Sequence, residues 1–74
     1  MDIRSAKKLA IKANNGYSVS KSYFGRFGYD DVFAFVISKG KMDNRFVVVY
    51  PDETVSGVDG SMAAVIARSL TEVK

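Results

Sequence analysis

The side chains that most often do chemistry at neutral pH are missing from this 74-residue chain, which has no cysteine and no histidine. That removes the commonest general base, the best nucleophile and the ligand sets of the usual structural zinc sites. Eight Asp/Glu remain for acid–base or metal work. They fall mostly at Asp30-Asp31, Asp43, Asp52-Glu53 and Asp59, in loop-like stretches where Asp is expected as a turn residue. Asp30 and Asp31 could offer a cation two carboxylates, but no third ligand stands at a recognisable spacing. Neither a P-loop nor a dinucleotide fingerprint occurs. A chain this short also has little room for a deep pocket. The expectation is a non-enzymatic protein without cofactor or metal.

Binding chemistry has more to work with. The chain carries 11 Lys/Arg against 8 Asp/Glu, a formal net charge of +3, and the excess is lopsided. Residues 1–45 hold nine cations (Arg4, Lys7, Lys8, Lys12, Lys21, Arg26, Lys39, Lys41 and Arg45) against four acids, +5 by subtraction. Residues 46–74 hold two against four, −2. At about 100° per residue, Arg4, Lys7, Lys8 and Lys12 share one arc of a predicted first helix. Lys39, Lys41 and Arg45 gather in and beside one predicted hairpin loop, and Arg26 stands near Phe27 and Tyr29. Cations for phosphates and rings for stacking are the parts a nucleic-acid binder uses. A solvated helix face and a lysine-bearing loop produce the same pattern with no ligand at all.

The elements that must position these residues follow from periodicity. Ile3, Ala6, Leu9, Ala10 and Ala13 recur at helical spacing between Asp2, a natural N-cap, and the Asn14-Asn15-Gly16 exit. From Tyr17 the period becomes two: Tyr17, Val19 and Tyr23 alternate with Ser18, Ser20 and Ser22, which predicts a strand with one wet face. Gly25 to Asp31 reads as a loop. Val32–Ile37 and Arg45–Tyr50 read as second and third strands, apolar on both faces, joined by a hairpin loop over 38–44. Pro51 ends the third strand, and Asp52 to Asp59 reads as polar and irregular. A last helix opens near Gly60-Ser61, capped by Asp59 or Ser61, with Met62, Val65, Ile66, Ser69, Leu70 and Val73 as its core stripe. The fold class expected is a single small α+β domain spanning 1–74, in α-β-β-β-α order, with a three-stranded antiparallel meander packed against two helices.

That architecture leaves an apolar surplus. A three-stranded sheet with two apolar faces needs two covers, either one helix on each face or both helices on one face and a second molecule on the other. In the second arrangement Val47 and Val49, with Ala34 and Val36, form an open face, and the third strand is an edge guarded only by Arg45 and Pro51. Phe24 and Phe27 have no evident core berth, and Tyr29 lies beside them in the loop. Phe24, Phe27, Tyr29, Val47 and Val49 are therefore the candidate partner-binding residues.

The α-β-β-β-α order is similar to that of double-stranded-RNA-binding domains. Their second helix opens on a run of lysines, whereas the matching place here reads Gly60-Ser61-Met62-Ala63-Ala64, with no cation before Arg68. The groove-contacting element is absent, and the likeness stays topological. Gly25-Arg26-Phe27-Gly28 matches the GXXG loop of KH domains in letters, but that loop joins two helices and this one joins two predicted strands.

The expected function is that of a small binding protein acting by protein–protein association, an accessory or inhibitory factor of the sort phage and mobile elements encode, and a homodimer. The alternative is a nucleic-acid-binding module using Arg4, Lys7, Lys8, Lys12, Arg26, Lys39, Lys41 and Arg45. No small-molecule substrate is expected. No apolar stretch is long enough to span a bilayer, and the N-terminal residues lack an export-type apolar region, so no membrane contact is expected and the location is read as cytoplasmic.

Overall fold

A computed structural model describes residues 1–41 and 43–73; Met42, inside the predicted hairpin loop, lies outside them. Helix α1 (Ile3–Ala13) is followed by strands β1 (Ser18–Phe27), β2 (Asp30–Lys39), β3 (Asp43–Val49) and β4 (Val55–Val58), then helix α2 (Gly60–Ser69) and strand β5 (Thr71–Val73). The strands form one antiparallel sheet in the order β4-β3-β2-β1-β5. The predicted meander is its centre, with β2 in the middle. Two further strands flank it, in segments the sequence reading assigned to an irregular loop and to the end of the last helix.

Each sheet face carries its own helix. On one side Ala6 and Ala10 of α1 pack on Phe35, Ile37, Val47 and Val49. On the other, Ile66 of α2 packs with Val32, Ala34, Phe46 and Val48. The apolar runs of β2 and β3 are thereby explained, because alternate residues serve opposite cores. The open face expected around Val47 and Val49 does not exist. Both are 1% exposed beneath α1, and the outer side of β3 is paired with β4. The sequence offered one helix per face as an alternative, and that arrangement is the one adopted.

Both helices are capped as the sequence suggests. The Asp2 carboxylate accepts from the Ser5 N–H at 2.8 Å, and that of Asp59 accepts from the Met62 N–H at 3.0 Å and the Ser61 hydroxyl at 2.9 Å. These backbone N–H bonds, with help from the serine hydroxyls, hold both carboxyls below the ordinary carboxylate pKa. The buried face of α2 departs from expectation. Ile66 is buried and Ala63, Ala67 and Leu70 are half-buried against the sheet, while Met62 and Val65 face solvent at 45% and 52% exposure. The sheet beneath already carries Tyr23, Phe27, Phe46 and Tyr50. A helix lying on such rings seats best on alanines, which fill the remaining gaps without overpacking.

Two local features set the rest of the geometry. A β-bulge between Val19 and Lys21 shifts the register of β1 against β2, and the Ser20 hydroxyl donates to the Val36 carbonyl at 3.1 Å. Tyr17 and Val19 therefore join the α1-side core and Tyr23 the α2-side core, although their even spacing in sequence predicts one shared face. Gly25, predicted as loop, lies inside β1 at φ 149°, and a Cβ there would meet Leu70 Cδ2 at 3.0 Å. This close approach lets the chain leave α2 and lie against β1 as β5.

Candidate partner-binding surfaces

The eight candidate phosphate-binding cations are all exposed, but the fold divides them. One end of the sheet holds the β1–β2 and β3–β4 turns and the start of α1; the other holds the β2–β3 loop, the end of α1 and the start of α2. The first end collects Asp2, Asp30, Asp31, Asp52 and Glu53 with Arg4, Arg26 and Arg68. The second collects Lys12, Lys39, Lys41 and Arg45 with Asp43 and Asp59. The chain is thus polarised along its strands, acidic at one end and basic at the other, with Lys7 and Lys8 between. Arg4 and Arg26 sit at the acidic end, and Arg26 is paired with Asp31 at 3.5 Å. The structure does not gather all eight into one surface; it gathers four.

At the basic end a polar cluster locks α1 to the β2–β3 hairpin. The Tyr17 hydroxyl donates to Asp43 Oδ2, and the Arg45 guanidinium lies 4.8 Å over the Tyr17 ring. Arg45 also reaches Asn14 Oδ1 at 3.4 Å and Asp43 at 3.8 Å. The hydrogen bond to the Asp43 carboxylate raises the Tyr17 pKa above the usual phenolic value. Arg45 is in this way engaged with its own chain, while Lys39 packs over Gly16 with its Cε 3.3 Å from where a Cβ would stand. Among these cations Lys12 and Lys41 are the ones least committed to internal contacts.

The candidate apolar residues are also dispersed. Val47 and Val49 are core. Phe27 is half-buried on the α2 side, and Tyr29 projects from the two-residue β1–β2 turn at full exposure. Phe24 lies on the α1 side of β1, opposite Phe33 of β2 and Thr71 of β5. Val73 pairs with Ser22 and so stands diagonally from Phe24 on the same face. The two are 45% and 40% exposed. Helix α1 packs over β1 to β4, and Phe24 and Val73 stand outside the core beneath it, which leaves this corner bare. Val73 was missed because the helical stripe of α2 runs on to it without a break in the sequence. Met62 and Val65 were missed as surface because they complete the same stripe.

Surface depressions are shallow. A groove of about 490 Å³ runs along the flank of α1, lined by Lys8, Leu9, Lys12, Pro51 and Glu53 among others. A second, of about 600 Å³, lies between α2 and strands β3 and β4, with Arg45, Phe46, Val58 and Asp59 on its walls. Among the described residues no group of three or more carboxylates is placed to hold a metal ion, and no helix is long and apolar enough to cross a membrane. No protein-family model, curated protein or solved structure matches the chain.

Proposed function

We propose that this is a small binding protein that acts by association with a protein partner and has no catalytic activity of its own. The observation that carries the reading is the bare corner of the sheet at Phe24 and Val73. Every other large apolar side chain on the α1 side of β1 to β3 packs into the core there, so a second protein is the natural cover for these two. Tyr29 stands at the neighbouring turn and would extend the contact. A chain with neither histidine nor cysteine and with open, shallow grooves supports binding over catalysis. A cytoplasmic setting belongs to the same reading, supported by the lack of cysteine.

The test is a pull-down from the native host with the intact protein and with a Phe24→Asp/Val73→Asp variant. The expected result is a protein partner that survives nuclease and a rise from about 50 to 200 mM salt, and that the variant loses. A partner retained by the folded variant would overturn the reading. One specific observation favours a second: Lys12, Lys39, Lys41 and Arg45 converge at one end, as a phosphate site requires. Binding to mixed DNA and RNA that falls steeply with salt, and is lost in Lys12→Glu/Lys41→Glu, would select it.

A further inference from the structure

We propose that the outer edge of β4 is a self-recognition edge, where a second copy of this chain adds its own β4 antiparallel, about a two-fold axis normal to the sheet, joining the two sheets into one. The sheet has two outer strands, β4 and β5. Natural edges are usually blunted by charge, proline or a bulge. Strand β5 carries Glu72, but β4 reads Val55-Ser56-Gly57-Val58, without charge or proline.

Its hydrogen-bonding pattern defines the register. The Tyr50 N–H donates to the Thr54 carbonyl at 2.9 Å. By the alternation of an antiparallel ladder, Ser56 and Val58 then bond inward to β3, and the N–H and C=O groups of Val55 and Gly57 point outward. A two-fold axis normal to the sheet keeps each face on its own side, so a residue of one copy must oppose a same-face residue of the other. Val55 and Gly57 share the α1 face. Val55 opposite the second copy's Gly57, with the two Ser56 residues facing each other between, satisfies the outward groups of both residues on both chains. Gly57 has open space where a Cβ would stand, so the second copy's Val55 can lie across it.

Charge favours the same orientation. Along the β4 side, the groove on α1 has Glu53 at the acidic end of the molecule and Lys12, in the last turn of α1, toward the basic end. An antiparallel second copy reverses that order and sets its Lys12 alongside Glu53, and the reverse, at two symmetric places. Glu53 is at φ 71°, the one non-glycine among the described residues with positive φ, and has no ion-pair partner among them. A side chain held at a position that suits glycine better is a pointer to use. This edge lies across the sheet from Phe24 and Val73, so the inference stands apart from the partner-binding reading.

An interface built on a four-residue strand is small, and a dissociation constant of about 10–100 μM is expected. Sedimentation velocity from about 5 to 500 μM should show wild-type protein moving from single to double mass. Gly57→Lys, whose side chain enters open space in the single chain, should keep its circular dichroism and remain at single mass throughout. Glu53→Lys should weaken self-association at least tenfold, and Glu53→Lys/Lys12→Glu should restore it. Wild type at single mass up to about 500 μM would overturn the proposal. So would a dimer untouched by Gly57→Lys, or one that Phe24→Asp dissolves in its place.

Discussion

Glu53 closes the three-residue turn Pro51-Asp52-Glu53 between β3 and β4. The turn is pinned by the Glu53 N–H on the Tyr50 carbonyl at 2.9 Å and by the Thr54 N–H on Asp52 Oδ1 at 3.0 Å. A proline opening and a left-handed closing residue are what this turn demands, and glycine takes the closing position at least cost. A residue with a Cβ there works against the steric preference of L-amino acids. Glu53→Gly is therefore expected to stabilise the single chain by about 0.5–1 kcal/mol, less than the full strain because glycine loses more entropy on folding. Thermal unfolding at a few micromolar should register a rise in Tm of roughly 2–8 °C. Unchanged or lower stability would mean that the Glu53 side chain holds the turn within its own chain. At this scale the sequence was legible where one side chain acts locally: Asp2 and Asp59 as caps follow from their neighbours alone. It was silent on Glu53, because a loop's φ is set by the strands it joins.

At the scale of elements, legibility depended on whether a segment's pattern had one solution. The stripe Ile3, Ala6, Leu9 and Ala10 of α1 marks one buried face, and the structure uses it, with Ile11 joining its edge and Ala13 left exposed. Helix α2 has two: the stripe through Met62, Val65 and Ile66, and the stripe through Ala63, Ile66 and Ala67. Only the rings already on the sheet decide for the alanines, and those rings reach that face partly through the bulge near Ser20. The boundary of α2 escaped for a related reason. Thr71-Glu72-Val73 fits a last helical turn, yet pairs with Ser22, Tyr23 and Phe24, because Gly25 leaves room for Leu70 to pass. The candidate contact at Phe24 was half legible by the same logic, since Phe24 lacked a berth in the sequence but Val73 was hidden in a helix. Gly25→Ala tests the crossing directly. Its Cβ would press on Leu70 at both Cδ2 and the main chain, at 3.0 and 3.4 Å, and its φ of 149° suits few residues other than glycine. The variant is expected to lose about 1–3 kcal/mol in urea unfolding. Hydrogen exchange should quicken selectively at the β1–β5 ladder. Equal exchange there in both proteins would show that β5 docks without this gap.

The whole molecule gains its stability by using one sheet twice. Val32, Ala34 and Val36 of β2 face α2, while Phe33, Phe35 and Ile37 face α1, so no strand of the centre belongs to one core alone. A chain of 74 residues at typical marginal stability has about 4–11 kcal/mol to hold it folded. Neither layer by itself buries enough to stand if the other comes away, and the two cores should melt together. Truncation on either side tests this. Phe35→Ala on the α1 side should cost about 3–5 kcal/mol, and Ile66→Ala on the α2 side about 2–5. Three of the four tyrosines divide between the layers, Tyr17 with α1 and Tyr23 and Tyr50 with α2, so NMR of these rings reports each core separately. In both variants the two sets of signals should be lost at one midpoint of temperature or urea. If Ile66→Ala releases Tyr23 and Tyr50 while Tyr17 stays native, α2 is a separable layer, and the apolar residues on its outer face become the place where a partner would have to supply what the sheet alone does not.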